Sequence, residues 1–444
     1  MRKIAISIIL GLIGFYIATF AFSYEHSILI ALIVFMVALW TNEGLPLGVV
    51  SLLPIVLFPS FDIISTNQTV SNYSNPIIFL FLGGFMIAVA TEKTNLHQYI
   101  SGKLLTIFPK TVRGVIFSLA ITSALLSTLL SNTTTALLLL PIAMFLTNDA
   151  RLKLRLALSI AYGASIGGIV TPIGTPPNLI LLGFMGQHNI EAIPFANWIF
   201  LTAPLAFVML LIIPFVLSLG ASELKFDEHL ESREHLNGER KRLLYILFSL
   251  IILLFANSRI EPFYSGLGLN EKGILLGYGL LMFVPKIGFL TWEDTRKIPY
   301  EIIFLFGAGF TIANAFSSTG LANEVAAYLL GLSQLPTIIL ILIVATLITF
   351  TTEVTSNTAL ISIALPIIYS LAESVQIDIT LVLMVSTICA SYAFMLPIAT
   401  PPNAIAMGSG AVKVKDMARY GVIFNIIGIL AITTIALLYW QYFI

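Results

Sequence analysis

The stretch LLSNTTTALL, residues 129–138, places five consecutive Ser, Asn and Thr residues inside a long apolar run. Such side chains compete with the backbone for hydrogen bonds and favour caps and turns over helix interiors. The same interruption returns as SNTAL at 356–360, in an equally apolar setting. Of the 444 residues, 58% are hydrophobic and only 10% charged, against about 25% charged in soluble domains. The chain therefore reads as an all-α polytopic membrane protein, and its two polar interruptions lie at membrane depth. Apolar segments of 114–130 and 136–146 flank the first, and 338–351 and 359–370 flank the second. A spanning helix needs about 17–25 residues, so each pair predicts a re-entrant helical hairpin with a polar tip.

A shift of 225 residues superimposes the chain on itself in three blocks without a gap. IIFLFLGGFMIAVATEKTNL (77–96) matches IIFLFGAGFTIANAFSSTGL (302–321) at 12 of 20 positions, Ser131-Asn132-Thr133 falls on Ser356-Asn357-Thr358, and TPIGTPPNLI (171–180) falls on LPIATPPNAI (396–405). Three blocks at one spacing establish an internal repeat. The segment after the first 20-residue block carries Lys103, Lys110 and Arg113, whereas its counterpart at 322–336 carries no Lys or Arg. By the positive-inside rule these equivalent segments face opposite sides, so the repeat is inverted. Extending the rule puts the N-terminus, 93–113, 149–155, 221–242, 286–299 and 411–420 in the cytoplasm. Together these hold 20 of the 22 Lys and Arg, leaving Arg259 and Lys272 outside. The result is about 11 transmembrane segments, with the N-terminus cytoplasmic and the C-terminus outside. Arg2 and Lys3 precede an apolar stretch that reads as an uncleaved first span rather than a signal peptide.

TPPN breaks a second apolar helix in each half, because two prolines remove amide donors and push the preceding residue out of the α region. Hairpin tips and broken helices expose helix N-termini, which suit carboxylates. Carbonyl and Ser, Thr or Asn oxygens suit a hard cation such as sodium, and Asn can both accept and donate. One motif alone could cap a kink or join helices. Duplication of both motifs at one spacing favours a binding site that takes an anion and cations without a charged side chain.

The paired SNT motifs, the paired TPPN motifs and WTNEGLP (40–46) resemble the divalent anion/sodium symporter family, also called the INDY family, over essentially the whole chain. The resemblance implies an elevator-type homodimer in which a scaffold domain flanks a transport domain, and it implies dicarboxylate, citrate or sulfate as substrate. On this pattern, 1–92 and 243–316 are scaffold, 93–220 and 317–444 carry the transport domain, and 221–242 is a cytoplasmic linker. One sodium site would use Ser127, Ser131, Asn132 and the carbonyl of Gly174. The other would use Thr352, Thr355, Asn357 and the carbonyl of Ala399. Substrate contacts would fall on Asn132, Thr133, Asn357 and Thr358, with Thr175 and Thr400 nearby. The expected activity is sodium-coupled symport of C4-dicarboxylates such as succinate, malate or fumarate across an inner membrane. A sodium-independent exchanger, or a sodium-coupled sulfate or citrate transporter, is the alternative on the same fold.

Other classes find less support. Zero net charge gives no reason to expect a nucleic-acid partner. The single Cys389 reads as core and excludes an intramolecular disulfide. A channel would need a continuous polar pore, and an intramembrane enzyme would need more than one buried carboxylate. Glu353, whose repeat mate is Thr128, is either an ion-coupling group or a carboxylate bonded to amides at the hairpin tip. Glu43 is expected to make a structural bond. His26, His97, His188, His229 and His235 are expected in solvated loops or interfaces, and Gly83, Gly84, Gly167 and Gly168 in close helix packing.

Overall fold

A computed structural model describes residues 1–221, 236–259, 264–328, 331 and 335–444. Apart from one bridge residue, Tyr264, the regular structure among them is helical. A leading helix α1 (Arg2–Ala18) precedes the first repeat, which runs α2 (Tyr24–Asn42), α3 (Leu47–Ser60), α4 (Thr66–Asn72), α5 (Pro76–Lys93), α6 (Leu96–Ile107), α7 (Val112–Ser127), α8 (Asn132–Phe145), α9 (Ala150–Val170), α10 (Pro176–Gln187) and α11 (Phe195–Ser218). The second repeat runs α12 (Gly238–Asn257), α13 (Glu271–Leu281), α14 (Tyr300–Thr319), α15 (Leu321–Tyr328), α16 (Thr337–Thr352), α17 (Asn357–Val375), α18 (Ile379–Ala390), α19 (Pro401–Gly408) and α20 (Val414–Leu438). Helices α7, α8 and α10 begin at Val112, Asn132 and Pro176, and their mates at Thr337, Asn357 and Pro401, each 225 residues on. Short helix α4 has as its counterpart the 3-10 helix Trp292–Lys297, and each is opened by a capping box, Ser65 with Gln68 and Thr291 with Asp294.

The direction of the repeat is visible in its contacts. Lys93, at the end of α5, pairs with Asp294 at 2.6 Å, and Glu92 with Lys297 at 3.5 Å. Asp294 and Lys297 belong to the 3-10 helix Trp292–Lys297 that leads into α14, the mate of α5. The end of one mate therefore meets the beginning of the other, so the two run in opposite directions and the repeat is inverted. The halves also interlock by exchange: α3 packs on α14 and α13 on α5, while α10 packs on α17 and α19 on α8. Phe81 stacks on its own repeat mate Phe306, with centroids 4.5 Å apart, which places the pseudo-two-fold axis between the two rings.

Glycine sets the closest approaches. A Cβ on Gly83 would lie 2.3 Å from the Leu275 carbonyl oxygen, and one on Gly167 would lie 2.1 Å from that of Ala124. Both are sites of helix packing, as the sequence suggests. Gly84 and Gly168 instead border the site described below.

Seven helices among the described residues are long and apolar enough to cross a membrane. With the shorter apolar helices α3, α7, α8, α16 and α18 they are compatible with about eleven passes. Three boundaries differ from the sequence expectation. Helix α8 starts inside SNTTT rather than after it. Helix α17 runs on to Val375, because Glu373 and its neighbours are adequate helix formers and Tyr369 Oη donates to Glu373 Oε1 one turn away. Of the expected linker, residues 222–235, with His229 and His235, lie outside the described residues, while 238–242 form the first turns of α12, capped by Asn237.

Candidate functional site

Helix capping accounts for the SNTTT run. Ser131 is the N-cap of α8, and its Oγ accepts from the Thr134 amide at 3.1 Å. Asn132 and the three threonines fill the first turn, so the polar run starts a helix rather than interrupting one. Short polar residues satisfy amides that a helix beginning inside a membrane protein cannot offer to water. TPPN does the same for α10 and α19. Thr175 and Thr400 are extended N-caps, and the two prolines occupy the first helical positions, where no amide is needed.

Asn178 and Asn403, the last letters of the two motifs, hold the breaks open. Asn178 Nδ2 donates to the carbonyls of Gly168 and Thr171 at 3.1 and 2.9 Å, and Asn403 Nδ2 donates to Ala393 and Leu396 at 2.8 and 3.1 Å. These carbonyls lost their helical partners when α9 and α18 ended. The motif flags both asparagines, but nothing in the sequence assigns them this role.

All four helix starts converge on one cavity of about 230 Å³. Ser131, Asn132, Thr133, Thr175, Ser356, Asn357, Thr358 and Thr400 line it, with Gly174 and Ala399. Its remaining wall is apolar and includes Phe81, Phe85 and Phe306. The cavity thus lies beside the pseudo-two-fold axis. Among the described residues no Asp, Glu, Lys, Arg or His lines it. Each N-terminus carries about half a positive elementary charge, so four give the site an anion-attracting potential of nominally about +2.

Behind each tip lies a pocket of oxygen atoms. Ser127 Oγ donates to Asn132 Oδ1 at 2.5 Å. A Cβ placed on Gly168 would meet Asn132 Oδ1 at 2.8 Å and the Gly174 carbonyl oxygen at 3.3 Å, so these oxygens crowd one point. In the second repeat Thr352 Oγ1 lies 2.6 Å from Asn357 Oδ1 and 2.9 Å from the Ala390 carbonyl oxygen. Three oxygens there share a single proton. An arrangement rich in acceptors and poor in donors is what a hard cation requires. Ser131 spends its oxygen on the cap and its proton on Thr134 Oγ1. Thr355 donates to the Thr351 carbonyl at 2.9 Å and does not line the cavity.

Glu353 is buried and accepts four donors. The amides of Phe394 and Met395 reach Oε1 at 2.8 and 2.9 Å, the Leu396 amide reaches Oε2 at 2.9 Å, and Asn425 Nδ2 reaches Oε1 at 2.6 Å. The structure thus favours the amide-bonded reading. Asn425 was not foreseen; its repeat mate is Phe200, so the repeat gave no signal for it. Glu43 departs from expectation: it ends α2 in the left-handed region with φ 52°, and it is this backbone geometry that shapes the turn. His97 is buried, with Nδ1 3.1 Å from the Thr91 carbonyl oxygen, and His26 pairs with Glu324 at 2.5 Å, so neither is a free solvated ring. His188 stacks on Phe184, and Cys389 is fully buried as expected.

A twice-repeated helical membrane protein whose four helix starts close on one uncharged cavity has the build of a transporter. Residues 28–389 match the family model for citrate transporters, CitMHS, and the chain belongs to that family, in agreement with the resemblance drawn from its motifs. A sodium-dependent dicarboxylate transporter, SdcS, of Staphylococcus aureus (strain bovine RF122 / ET3-1) is 30% identical over 450 residues, covering 94% of this chain and 86% of that protein. The SdcS of Staphylococcus saprophyticus is 27% identical over 438 residues, covering 91% and 84%. Among solved structures, the Alcanivorax borkumensis YdaH transporter aligns with a TM-score of 0.59 at 13% identity over 84% of this chain and 88% of that one. MtrF of Neisseria gonorrhoeae, described with a class of antimetabolite efflux pumps, aligns with 0.63 at 15% identity over 96% and 97%. At such identities the two structures share the fold and nothing more specific.

Proposed function

We propose that the chain is a sodium-coupled symporter of C4-dicarboxylates such as succinate, malate or fumarate. The observation that carries this is the uncharged cavity between four helix N-termini, backed on each side by a donor-poor oxygen cluster. A dianion cannot be stripped of water cheaply. Helix dipoles and co-bound cations would supply the compensation that no side-chain charge provides. The cavity is small for a ligand pocket, which typically measures about 300–1,000 Å³, and this suits a four-carbon diacid better than a larger anion. The names of the staphylococcal relatives point the same way.

In this reading sodium is bound first, by Ser127, Asn132 and the Gly174 carbonyl at one tip and by Thr352, Asn357 and the Ala399 carbonyl at the other, with Ser131 and Thr355 turning from their present hydrogen bonds to complete the two sites. Bound sodium orders the two tips. The dianion then docks on Asn132, Thr133, Asn357 and Thr358, with Thr175 and Thr400 beside it. Hairpins and broken helices, within 93–220 and 317–444, move as one transport body past a scaffold formed by 1–92 and 243–316, in an elevator motion. The exchange packing of α10 on α17 and α19 on α8 favours such a single body. The protein would work as a homodimer in the inner membrane with its N-terminus cytoplasmic.

The test is labelled succinate uptake into proteoliposomes under an inward sodium gradient, with potassium as control and with succinate-loaded vesicles in parallel. Concentrative uptake with sodium alone is expected, and Asn132→Ala and Asn357→Ala should each reduce it by about tenfold or more, the usual cost of an unpaired buried group in a ligand site. Uptake that ignores sodium and requires internal succinate would make the protein an exchanger and remove both sodium sites.

A further inference from the structure

The start of α12 and the turn after α13 form a shallow basin of about 480 Å³, remote in sequence from the hairpins and lined by Gly238, Lys241, Arg242, Tyr245, Ser249 and Lys286 among others. Among the described residues no carboxylate lines it and none of its three cations forms an ion pair. Arg242 is held in place. Its Nη1 donates to the Lys286 carbonyl at 2.7 Å, its guanidinium lies 4.6 Å over the Phe289 ring, and its Nε is buried without a hydrogen-bond partner. Lys241 Nζ lies 5.9 Å from the Tyr245 ring. Two lysines beside an oriented guanidinium, with none of the three paired to a carboxylate among the described residues, are a receptor for a phosphate group.

The surroundings identify the carrier of that phosphate. Tyr245, Phe248 and Ile252 are 62%, 59% and 52% exposed and continue from the basin along α12. An apolar strip exposed on a helix of a membrane protein meets acyl chains, and an aromatic ring beside a basic group marks a membrane interface. The Lys and Arg distribution assigns this end of α12 to the cytoplasmic face. A free phosphate would have no use for the strip. We infer that the basin binds the phosphate of an anionic phospholipid, with the acyl chains lying along α12. This site is separate from the transport cavity and does not depend on which anion is carried.

The test uses the full chain in bilayers of phosphatidylethanolamine with a minority of phosphatidylglycerol, followed by release into native mass spectrometry. The wild type should retain phosphatidylglycerol. The double variant Lys241→Gln/Lys286→Asn should hold it about 30-fold more weakly, from the usual contribution of a basic residue near an anionic surface taken twice. Asn suits position 286, where φ is +69°, and an unchanged thermal midpoint would show that the variant folds. Arg242→Lys, which keeps the charge and loses the planar fork, should give an intermediate loss. Equal retention by wild type and double variant would overturn the inference. So would displacement of the lipid by millimolar inorganic phosphate, which would make the ligand a free anion.

Discussion

The two hairpin tips share a motif but not the means of holding it. In the first repeat, α7 and α9 approach backbone to backbone. A Cβ on Gly163 or Gly167 would come within 2.4 or 2.1 Å of the carbonyl oxygens of Ala120 and Ala124, and Thr171 Oγ1 donates to the Thr128 carbonyl at 2.6 Å. In the second repeat the mates of those glycines are Ile388 and Tyr392, and the mate of Thr171 is Leu396. No glycine contact of that kind joins α16 to α18, the Tyr392 ring packs against Gly428 of α20 instead, and the unwound amides of 394–396 need an acceptor. Glu353, where the first repeat has Thr128, supplies it. The atoms that face the cavity repeat, because both tips line the same cavity. Their supports diverge, because any packing that fixes a tip will serve.

The largest effect should come from the carboxylate. Glu353→Ala leaves three buried amides and Asn425 without an acceptor, and breaking a buried charged network of this kind costs about 3–5 kcal/mol. Thermal unfolding in detergent should shift down by many degrees and sodium-driven uptake should vanish. Thr128→Ala at the equivalent place should leave both nearly unchanged. If the two variants behave alike, the division of labour between the tips is wrong.

Next in size is the glycine contact. Gly167→Ala forces α7 and α9 apart and should cost about 1–3 kcal/mol, read as a lowered unfolding midpoint. At its mate, Tyr392→Phe removes a buried hydroxyl that has no hydrogen-bond partner, so stability should hold or improve.

The two capping serines sharpen the contrast at finer scale. Ser131→Ala removes a helix cap and should cost about 1 kcal/mol of stability. Both serines line the cavity, but Ser356 makes no capping bond. Ser356→Ala should therefore spare stability and raise KM for the transported anion, and a fall in stability equal to that of Ser131→Ala would place it with the caps.

The smallest effect belongs to the bond that joins the oppositely running mates. A hydrogen bond from Lys93, aided by the Thr291 amide, holds the Asp294 carboxyl below its ordinary value. A carboxylate whose folded pKa is lowered contributes stability above its unfolded pKa and loses it as pH falls through the folded value. Asp294→Asn should thus lower the unfolding midpoint at neutral pH by the equivalent of at most about 1 kcal/mol, since the pair is partly solvated. The difference from wild type should disappear in acid.

Hydropathy, the 225-residue shift and the placement of Lys and Arg determined the membrane class, the inverted repeat and the two breaks in each half. They could do so because periodicity and composition are local properties that survive without any contact being known. The SNT and TPPN residues were legible as a site for the same reason, since a polar run in apolar surroundings must answer to something. Tertiary structure alone decided that SNTTT opens a helix, that Asn178 and Asn403 hold the breaks, and that Glu353 and Asn425 serve the second tip. Those facts depend on which carbonyls and amides lose their helical partners when the chain unwinds, and on which distant side chain then lies within bonding distance. A linear sequence does not record such distances, and the repeat itself misleads there, because only one half needs the carboxylate.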